Sequence, residues 1–370
     1  ANDSFKPVTK YFDRITRPEQ IIQSLPQAIQ TMLDPADTGP ACLSLCQDVQ
    51  GETFDYPEEF FKERIHNIRR PKPDDFQIKQ AMEKIKKSKK PIIISGGGVF
   101  YSDAMDELGS FAIKHNIPVT QTVMGYSTMK RDHSHFLGPI GGLGGRAANN
   151  LAKETDLAIC VGTKLADFTT GSWANFENPE FKLVSINIAR HDANKHLAEA
   201  VIGDAKVCLS ELSNSLGNWK SPDSWHKKSQ DELKSWNEYV DKESGPTNQE
   251  TPNYAHAVGA IYRNSDPTDI AVTAAGGLVG EVVQVWRPKE LNTHETEWGF
   301  SCMSYEISGA LGIKMANPDK DVIAFVGDGS YLLNNSDIYS SVLTNNKLII
   351  IVCDNGCLLY TSDAADDLYR

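Results

Sequence analysis

The chain has 370 residues and a net charge of −12, and 40% of its residues are apolar against 23% charged. This ordinary globular composition excludes intrinsic disorder as the main state, because the charge is not paired with low hydrophobicity. The length predicts two or three domains. The acidic balance argues against a nucleic-acid partner. No apolar stretch approaches the ~18 residues of a membrane span, so we expect no membrane partner either.

The seven cysteines are scattered along the chain, and most of them lie inside apolar runs. Buried, unpaired thiols are typical of a reducing compartment, so we expect a cytoplasmic protein. No pair of cysteines has the spacing of a zinc finger. No signal peptide opens the chain, and it begins with Ala1 and not with Met. We therefore expect that the natural start lies upstream.

The pattern of the chain changes twice, which divides it into three regions. In residues 1–56, a helix is predicted over residues 17–32 and a strand over residues 41–45. A polar linker with prolines follows, to about residue 73. Residues 75–215 alternate apolar strands with helices, which predicts a parallel sheet covered on both faces. The strands predicted here are residues 91–95, 118–122, 157–162 and 183–187, and the helices are residues 75–88 and 103–115.

Residues 216–250 are polar and charged, with three tryptophans spaced through them, and we interpret them as a surface helix plus linker. The third region, residues 251–356, repeats the alternation of strands and helices. It therefore predicts a second domain built on a parallel sheet. The strands predicted here are residues 270–273, 322–326 and 347–352, and the helices are residues 303–315 and 335–344.

Residues 357–370 show no apolar periodicity. Their sequence resembles the translation, in one reading frame, of the transposase mosaic-end adapter used in sequencing libraries. We therefore interpret them as a non-native tail and exclude them from reasoning about the fold. The alternative is a genuine amphipathic tail.

The strongest chemical signal is the segment Gly327-Asp328-Gly329-Ser330, which follows a predicted strand, together with Asn355 after the next strand. The carboxyl ends of parallel strands meet at one edge of a sheet, where ligands bind. Glycines beside Asp328 let the backbone approach a phosphate closely. A carboxylate and an amide oxygen suit Mg²⁺, which completes its shell with phosphate and water. Alone, Gly-Asp-Gly would indicate a tight turn; with both strands present, we favour a magnesium and phosphate site.

This spacing resembles the cofactor signature of the thiamine-diphosphate-dependent enzymes. Acetolactate synthase-like members of that family resemble the chain over nearly all of residues 1–356. The resemblance implies an α/β fold of three-layer, doubly wound parallel-sheet domains, with a Rossmann-like central domain. The implied domains are the C-terminal part of a pyrimidine-binding domain (1–56), the central domain (75–215), a linker (216–250) and a truncated diphosphate-binding domain (251–356).

The resemblance also implies the cofactors, thiamine diphosphate and Mg²⁺. Asp328 and Asn355 match the family's metal ligands, and Met303 matches the apolar residue that holds the cofactor in a bent shape. The loop at residues 273–277 matches the one that contacts the diphosphate. The implied cofactor-binding residues are Gly276, Gly277, Leu278, Met303, Gly327, Asp328, Gly329, Ser330 and Asn355.

Residues 5–8, 11–20, 298–307 and 327–332 resemble one branch of the family, which opens cyclic 1,2-diketones in inositol breakdown. That branch implies hydrolysis of a trihydroxycyclohexane-1,2-dione, with the cofactor as electron sink and water completing the cleavage. The family implies a homodimer or homotetramer acting on a small molecule. The alternatives are an acetolactate synthase-like carboligase or lyase acting on 2-oxo acids, a nucleotide-binding module without catalysis, and an inert fragment.

No catalytic residue can be assigned from the sequence. The glutamate that the family uses to activate the cofactor belongs to a part of the pyrimidine-binding domain that has no counterpart in the chain, so we expect the 370-residue chain to be inactive. The family's third metal contact, a main-chain carbonyl, would fall on Cys357 in the doubtful tail. His294 and Glu295 are acid–base candidates, because we expect them in a loop near the cofactor.

Three further features have competing interpretations. Gly96-Gly97-Gly98 follows a strand and could cradle a phosphate, but it lacks the rest of a dinucleotide fingerprint, so we favour a structural turn. The glycine-rich loop at residues 138–145 is either a plain loop at a domain contact or a ligand contact. His133 and His135 lack the companions of a metal site, and we interpret them as surface residues.

Overall fold

The computed structural model describes residues 2–355, and every strand paired within them runs parallel to its neighbours. The strands form three separate sheets, one in each of the three regions. The α/β class expected from the alternation of apolar strands and helices is thereby confirmed. Within the same residues, no helix combines the length and the apolarity that crossing a bilayer requires.

The first sheet has two strands, β1 (Tyr11–Ile15) and β2 (Ala41–Leu45), which helix α1 (Ile21–Met32) connects. A single 3-10 turn containing Pro18 leads into α1, since the fixed φ of proline suits the first turn of a helix. The sequence pattern did not predict β1, because the charged pair Asp13-Arg14 interrupts its apolar residues.

The second sheet belongs to the central domain and has six strands. Its strands are β3 (Pro91–Ser95), β4 (Val119–Gln121), β5 (Phe136–Pro139), β6 (Leu157–Val161), β7 (Lys182–Asn187) and β8 (Glu199–Ile202). Its helices are α2 (Asp75–Lys87), α3 (Gly98–Tyr101), α4 (Met105–His115), α5 (Arg146–Glu154), α6 (Asp167–Thr170), α7 (Arg190–Ala193) and α8 (Ala205–Leu216). From β3, the next two strands lie on one side and the last three on the other, which is the Rossmann order. The expected Rossmann-like central domain is thus confirmed.

Helix α9 (Asp223–Glu243) lies within residues 216–250, which we interpreted as a surface helix plus linker, and one side of it is buried. Trp225 and Trp236 are only 4% and 9% exposed, and the indole of Trp225 donates to the main-chain oxygen of Pro91 at 2.8 Å. The buried positions recur every three or four residues, so one stripe of the helix packs against both large domains. Because the opposite face of the helix is polar, the composition of the segment did not predict this buried stripe.

The third sheet belongs to the C-terminal domain. Its strands are β9 (Ile270–Thr273), β10 (His294–Thr296), β11 (Val322–Gly327) and β12 (Ile349–Cys353). Its helices are α10 (Tyr254–Asn264), α11 (Gly277–Val285), α12 (Tyr305–Ala316), α13 (Asp328–Leu333) and α14 (Asp337–Leu343). Alternate residues of β9 and β11 pack against α10 and α11 on one face and against α12 on the other, which makes three layers. The strand order β10-β9-β11-β12 places a topological switch point between β9 and β11.

The glycine-rich loop at residues 138–145 lies where the central domain meets the C-terminal domain. Gln284 in α11 donates to the carbonyl of Leu143 at 3.4 Å. A β-carbon at Gly280 would lie 3.3 Å from the Leu143 side chain, so the two elements approach closely. Beside this contact, the rings of Phe168 and Trp298 meet edge to face, with centroids 5.0 Å apart. The loop therefore contributes to the contact between the two domains.

Candidate functional site

Asp328 and Asn355 leave the C-terminal sheet on neighbouring strands. Gly327, the last residue of β11, is paired in register with Cys353, the last residue of β12. Asp328 follows the first strand end directly, and Asn355 lies two residues beyond the second. The fold therefore brings these two distant residues to the same edge of the sheet, beside the switch point.

One carboxylate oxygen of Asp328, Oδ1, is buried and has no hydrogen-bond partner within residues 2–355. A buried oxygen in this state is costly unless an ion or ligand completes it. The side-chain nitrogen of Asn355 donates to the hydroxyl of Tyr254 at 2.9 Å, which orients the amide. Burial raises the pKa of Tyr254, so its hydroxyl stays protonated at neutral pH.

A divalent cation at this edge would need oxygen ligands beyond acidic side chains. In the part of the chain that the structure describes, no three His, Cys, Asp or Glu side chains cluster as a metal site would require. Mg²⁺ is commonly held by one or two carboxylates together with phosphate oxygens and water. The donors at hand, the Asp328 carboxylate and an asparagine amide, fit that pattern better than the pattern of a zinc or iron site.

The loop between β9 and α11 presents main-chain amides at the same edge. Gly276 has φ +80° and ψ −176°, a region essentially restricted to glycine. It precedes α11 without a side-chain cap, so the first main-chain N–H groups of the helix remain available to donate hydrogen bonds to other partners. A β-carbon on Gly277 would meet no atom within 4 Å, which leaves space beside these amides. A helix start of this kind suits an anion such as a diphosphate.

Leu278 differs from the other predicted cofactor residues. Its side chain is 4% exposed and packs in the hydrophobic core. It can therefore offer a ligand only its main-chain amide, in the first turn of α11. The interior position follows from the helix itself, because α11 is covered on its inner side by the sheet and the central domain.

Gly276 and Gly277 give a matched pair for testing this helix start. We expect Gly276→Ala to lower the free energy of unfolding by about 1–3 kcal/mol, because the new side chain must adopt a strained backbone conformation. We expect Gly277→Ala to leave stability unchanged or to raise it by up to about 1 kcal/mol, since its β-carbon enters open space. Urea unfolding measures both values. Equal losses in the two variants would contradict the described loop conformation.

Met303 lies half-buried in the turn that precedes α12, close to the segment that follows β11. The next residue, Ser304, has φ +76° and is buried. Its hydroxyl donates to the carbonyl of Ser330 at 2.7 Å, which ties the Met303 turn to the turn containing Asp328. The turn that carries Met303 therefore lies against the segment that carries Asp328 and Ser330.

A second group of buried polar atoms lies where the C-terminal sheet meets the central domain. Four atoms in this group have no hydrogen-bond partner within residues 2–355. Thr273 and Thr296 end β9 and β10 and are paired in register, so their side chains share a face. His294 shares that face, and its ring meets the ring of Tyr126 edge-on, with centroids 5.3 Å apart. The unpartnered atoms are Thr273 Oγ1, Thr296 Oγ1, His294 Nε2 and Tyr126 Oη. Such atoms are usually completed by ordered water or ligand. Thr296 and Tyr126 were not predicted from the sequence, and Thr273 was named only as the first residue of the predicted diphosphate loop.

The expectation that His294 and Glu295 lie in a loop is wrong, because both belong to strand β10. His294 is 4% exposed, and burial lowers its pKa to about 4, so the imidazole is neutral at neutral pH. Burial also raises the pKa of Glu295. Perturbed groups of this kind are typical of sites of proton transfer. A catalytic role for either residue stays a prediction.

Gly96-Gly97-Gly98 forms a structural turn, as the sequence analysis favoured. A β-carbon on Gly98 would lie 2.6 Å from the α-carbon of Gly162, at the end of the neighbouring strand β6. The amide of Gly98 also donates to the carbonyl of Gly162 at 2.9 Å. This close approach of the turns that follow β3 and β6 gives the glycines a structural reason.

His135 is not a surface residue, contrary to the prediction. It is 5% exposed, its ring stacks on that of His226 with centroids 4.1 Å apart, and its Nε2 lies 3.2 Å from Asn116 Oδ1. Burial and the neighbouring His226 lower the pKa of His135 to about 4. His226 lies on α9, so the burial of His135 depends on where that helix packs. His133 is half-buried.

Phosphorylated cofactors bind doubly wound domains where strand ends and helix starts meet. The sheet edge that carries Gly276, Asp328 and Asn355 is such a place, so it indicates an α/β protein that binds a cofactor. Residues 78–212 match the family described as "Thiamine pyrophosphate enzyme, central domain", and residues 274–369 match "Thiamine pyrophosphate enzyme, C-terminal TPP binding domain". The chain belongs to the thiamine-diphosphate-dependent enzymes. The second match extends past the described residues. The origin of the tail at residues 357–370 stays a prediction, and so do the exact domain bounds.

Individual relatives agree with this family. The chain is 39% identical to the 3D-(3,5/4)-trihydroxycyclohexane-1,2-dione hydrolase of Clostridium perfringens (strain 13 / Type A) over 384 aligned residues. Proteins of the same name from Clostridium tetani and Bacillus licheniformis are also 39% identical to it. In each comparison the alignment covers 97% of this chain but only 60% of the relative, so the chain spans about three fifths of their length.

Proposed function

We propose that the polypeptide containing this chain is a thiamine-diphosphate- and Mg²⁺-dependent hydrolase. Its substrate would be a trihydroxycyclohexane-1,2-dione, opened by hydrolysis in inositol breakdown. The observation that carries the proposal is the buried, unpartnered Oδ1 of Asp328 beside Asn355 at the switch point of a thiamine-diphosphate-binding domain. The printed names of the relatives, at 39% identity along almost the whole chain, support the substrate.

The residues at this edge fit the cofactor. Asp328 and Asn355 would hold Mg²⁺, because they offer hard oxygen ligands from two adjacent strand ends. The amides at Gly276 and Gly277 would bind the diphosphate, and Gly327 and Gly329 would let the backbone approach it. Ser330 would be the polar residue of the same segment. Met303 would shape the bound cofactor from the turn before α12. When bound, thiamine diphosphate supplies the electron sink that cleavage of a carbon–carbon bond requires.

The protein's own groups would orient the substrate and limit its contact with water. Four buried polar atoms without hydrogen-bond partners in the described chain lie together in a region enclosed by two domains. They belong to Thr273, Thr296, His294 and Tyr126. Neutral His294 can donate or accept one hydrogen bond through Nε2, according to its tautomer. We propose that this enclosed polar face supplies ordered water close to the reaction.

Assembly and location belong to the same proposal. We propose a homodimer or homotetramer acting on a small molecule, as in the family to which the chain belongs. A cytoplasmic location is consistent with the cysteines, because the six found in residues 2–355 are all free thiols.

Two measurements test the function. In the first, the 370-residue chain is heated with thiamine diphosphate and Mg²⁺, or with a nucleotide. We expect only thiamine diphosphate with Mg²⁺ to raise the melting temperature, because a ligand stabilises the state it binds.

In the second, the complete reading frame is incubated with the cyclic diketone or with pyruvate. We expect ring opening of the diketone. Acetolactate formation without ring opening would overturn the proposal, and a shift with nucleotide alone would favour a binding module. We expect no turnover from the 370-residue chain by itself.

A further inference from the structure

Glu306 is a carboxyl group in an unexpected place. It lies in the first turn of α12 and is 0% exposed. The rest of the buried side of this helix is mainly apolar, with Ile307, Ala310 and Leu311. Burying a carboxyl group is costly unless its oxygens meet hydrogen-bond donors, so its surroundings indicate what it does.

Polar groups from three segments lie near Glu306, and one of them donates a hydrogen bond to it. The amide of Ala275, in the loop between β9 and α11, donates to Glu306 Oε1 at 3.4 Å. Burial raises the pKa of Glu306, and the nearby amides of Glu306 itself, Ala275 and Ser304 together with the Ser330 hydroxyl partly oppose that rise. The second carboxyl oxygen, Oε2, is buried without a hydrogen-bond partner within residues 2–355. Ser304 and Ser330 are also joined directly, through the hydroxyl of the first and the carbonyl of the second.

These three segments are the ones that carry the predicted cofactor contacts. Ala275 precedes Gly276 and Gly277, Ser304 follows Met303, and Ser330 follows Asp328 by two positions. The first two segments are a loop and a turn, and the third is the first turn of α13. Two hydrogen bonds already link them: the Ser304 hydroxyl donates to the carbonyl of Ser330, and the Ser301 hydroxyl donates to the carbonyl of Ala274 at 3.4 Å. Glu306 joins the loop that contains Ala275 to the start of α12, and Ser304 joins the start of α12 to the first turn of α13, so together they restrict the relative movement of the three segments.

We propose that Glu306 is a positioning residue that holds the diphosphate loop, the Met303 turn and the Asp328 turn in one arrangement for the cofactor. The inference rests on the proposed function, since it concerns the same site. Glu306 acts through the segments that it joins. Glutamine at this position keeps an oxygen that accepts from Ala275, whereas alanine removes the acceptor and leaves the Ala275 amide unpaired.

The test compares Glu306→Ala, Glu306→Gln and a control, Lys314→Met. Lys314 lies at the far end of α12, is 9% exposed, and donates to the carbonyls of Pro318 and Lys320, so its loss removes buried hydrogen bonds away from the site. Calorimetry on the 370-residue chain measures the dissociation constant for thiamine diphosphate with Mg²⁺. We expect about tenfold weaker binding for Glu306→Ala, as for loss of a residue that orients ligands, and at most about twofold for Glu306→Gln and Lys314→Met.

A second measurement needs no cofactor. Hydrogen exchange on the cofactor-free chain is expected to accelerate together in residues 273–277, 301–305 and 327–331 of Glu306→Ala, and in none of them in Lys314→Met. Unchanged binding by Glu306→Ala, equal weakening in Glu306→Gln, or acceleration in only one segment would overturn the inference. Failure of the unaltered chain to bind thiamine diphosphate would instead refute the proposed function, and the exchange experiment distinguishes the two failures.

Discussion

Replacing Asp328 with alanine is expected to weaken the binding of thiamine diphosphate with Mg²⁺ by about 100-fold or more, equal to about 2.7 kcal/mol. Asp328 is the only carboxylate among the residues assigned to the metal, and Asn355 adds no charge. Loss of the anionic oxygen therefore removes the main electrostatic attraction for the cation. Calorimetric titration of the 370-residue chain at several Mg²⁺ concentrations measures the effect.

The same substitution should not destabilise the cofactor-free chain. Oδ1 of Asp328 is buried without a partner in the described structure, so its removal relieves a desolvation cost. Asp319→Ala is the matched control, because Asp319 is exposed in the loop before β11. We expect the control to retain normal binding. Mg²⁺-dependent binding that survives in Asp328→Ala would show that the cation lies elsewhere.

His294→Phe is expected to change how stability depends on pH. Burial lowers the pKa of His294 in the folded chain from an ordinary 6.5 to about 4, so the unfolded chain takes up its proton first as the pH falls. The stability that His294 contributes is complete above pH 6.5 and is lost progressively down to about pH 4. That loss amounts to about 3 kcal/mol. Phenylalanine does not titrate, so the variant should lose correspondingly less stability over this range.

Urea unfolding at steps from pH 7.5 to pH 4 measures the difference between the two proteins. His135, whose pKa burial also lowers to about 4, is present in both proteins and cancels in the comparison. The exposed His191 gives a control, since His191→Gln alters a side chain that already faces solvent in the folded chain. We expect that control to follow the unaltered chain. Parallel curves for His294→Phe and the unaltered chain would contradict the burial of a neutral imidazole.

The main strands of both large domains could be predicted because they are runs of apolar, β-branched residues. Strand β3 is Pro91–Ser95 as predicted, and β9 is Ile270–Thr273 as predicted. Central parallel strands are covered on both faces, so almost every residue in them is apolar and the pattern is plain. Strand β10 has only three residues, His294–Thr296, and no apolar run, which is why it was mistaken for a loop.

Helix α9 shows a different limit of the sequence. Its buried stripe includes Trp225 and Trp236 at helical spacing, but most of its other residues are charged or polar. Composition therefore indicated a surface segment. The stripe packs against α5 and β5 of the central domain and against α10 and α11 of the C-terminal domain, and the stripe itself does not identify these partners. The burial of His135 beneath this helix was missed for the same reason.

By itself, the sequence determined the local signals of this protein: the strand ends, the glycines around Asp328, and the asparagine after the next strand. A general rule, that parallel strands end at one edge, was enough to bring Asp328 and Asn355 together. Only the tertiary structure revealed the buried Glu306 beside the loop before α11, and the polar face formed by Thr273, Thr296, His294 and Tyr126. Hydrophobic periodicity and backbone sterics depend on residues that are close together in the chain, so the sequence shows them directly. The convergence of buried polar groups depends on how distant segments pack, and no spacing along the chain encodes it.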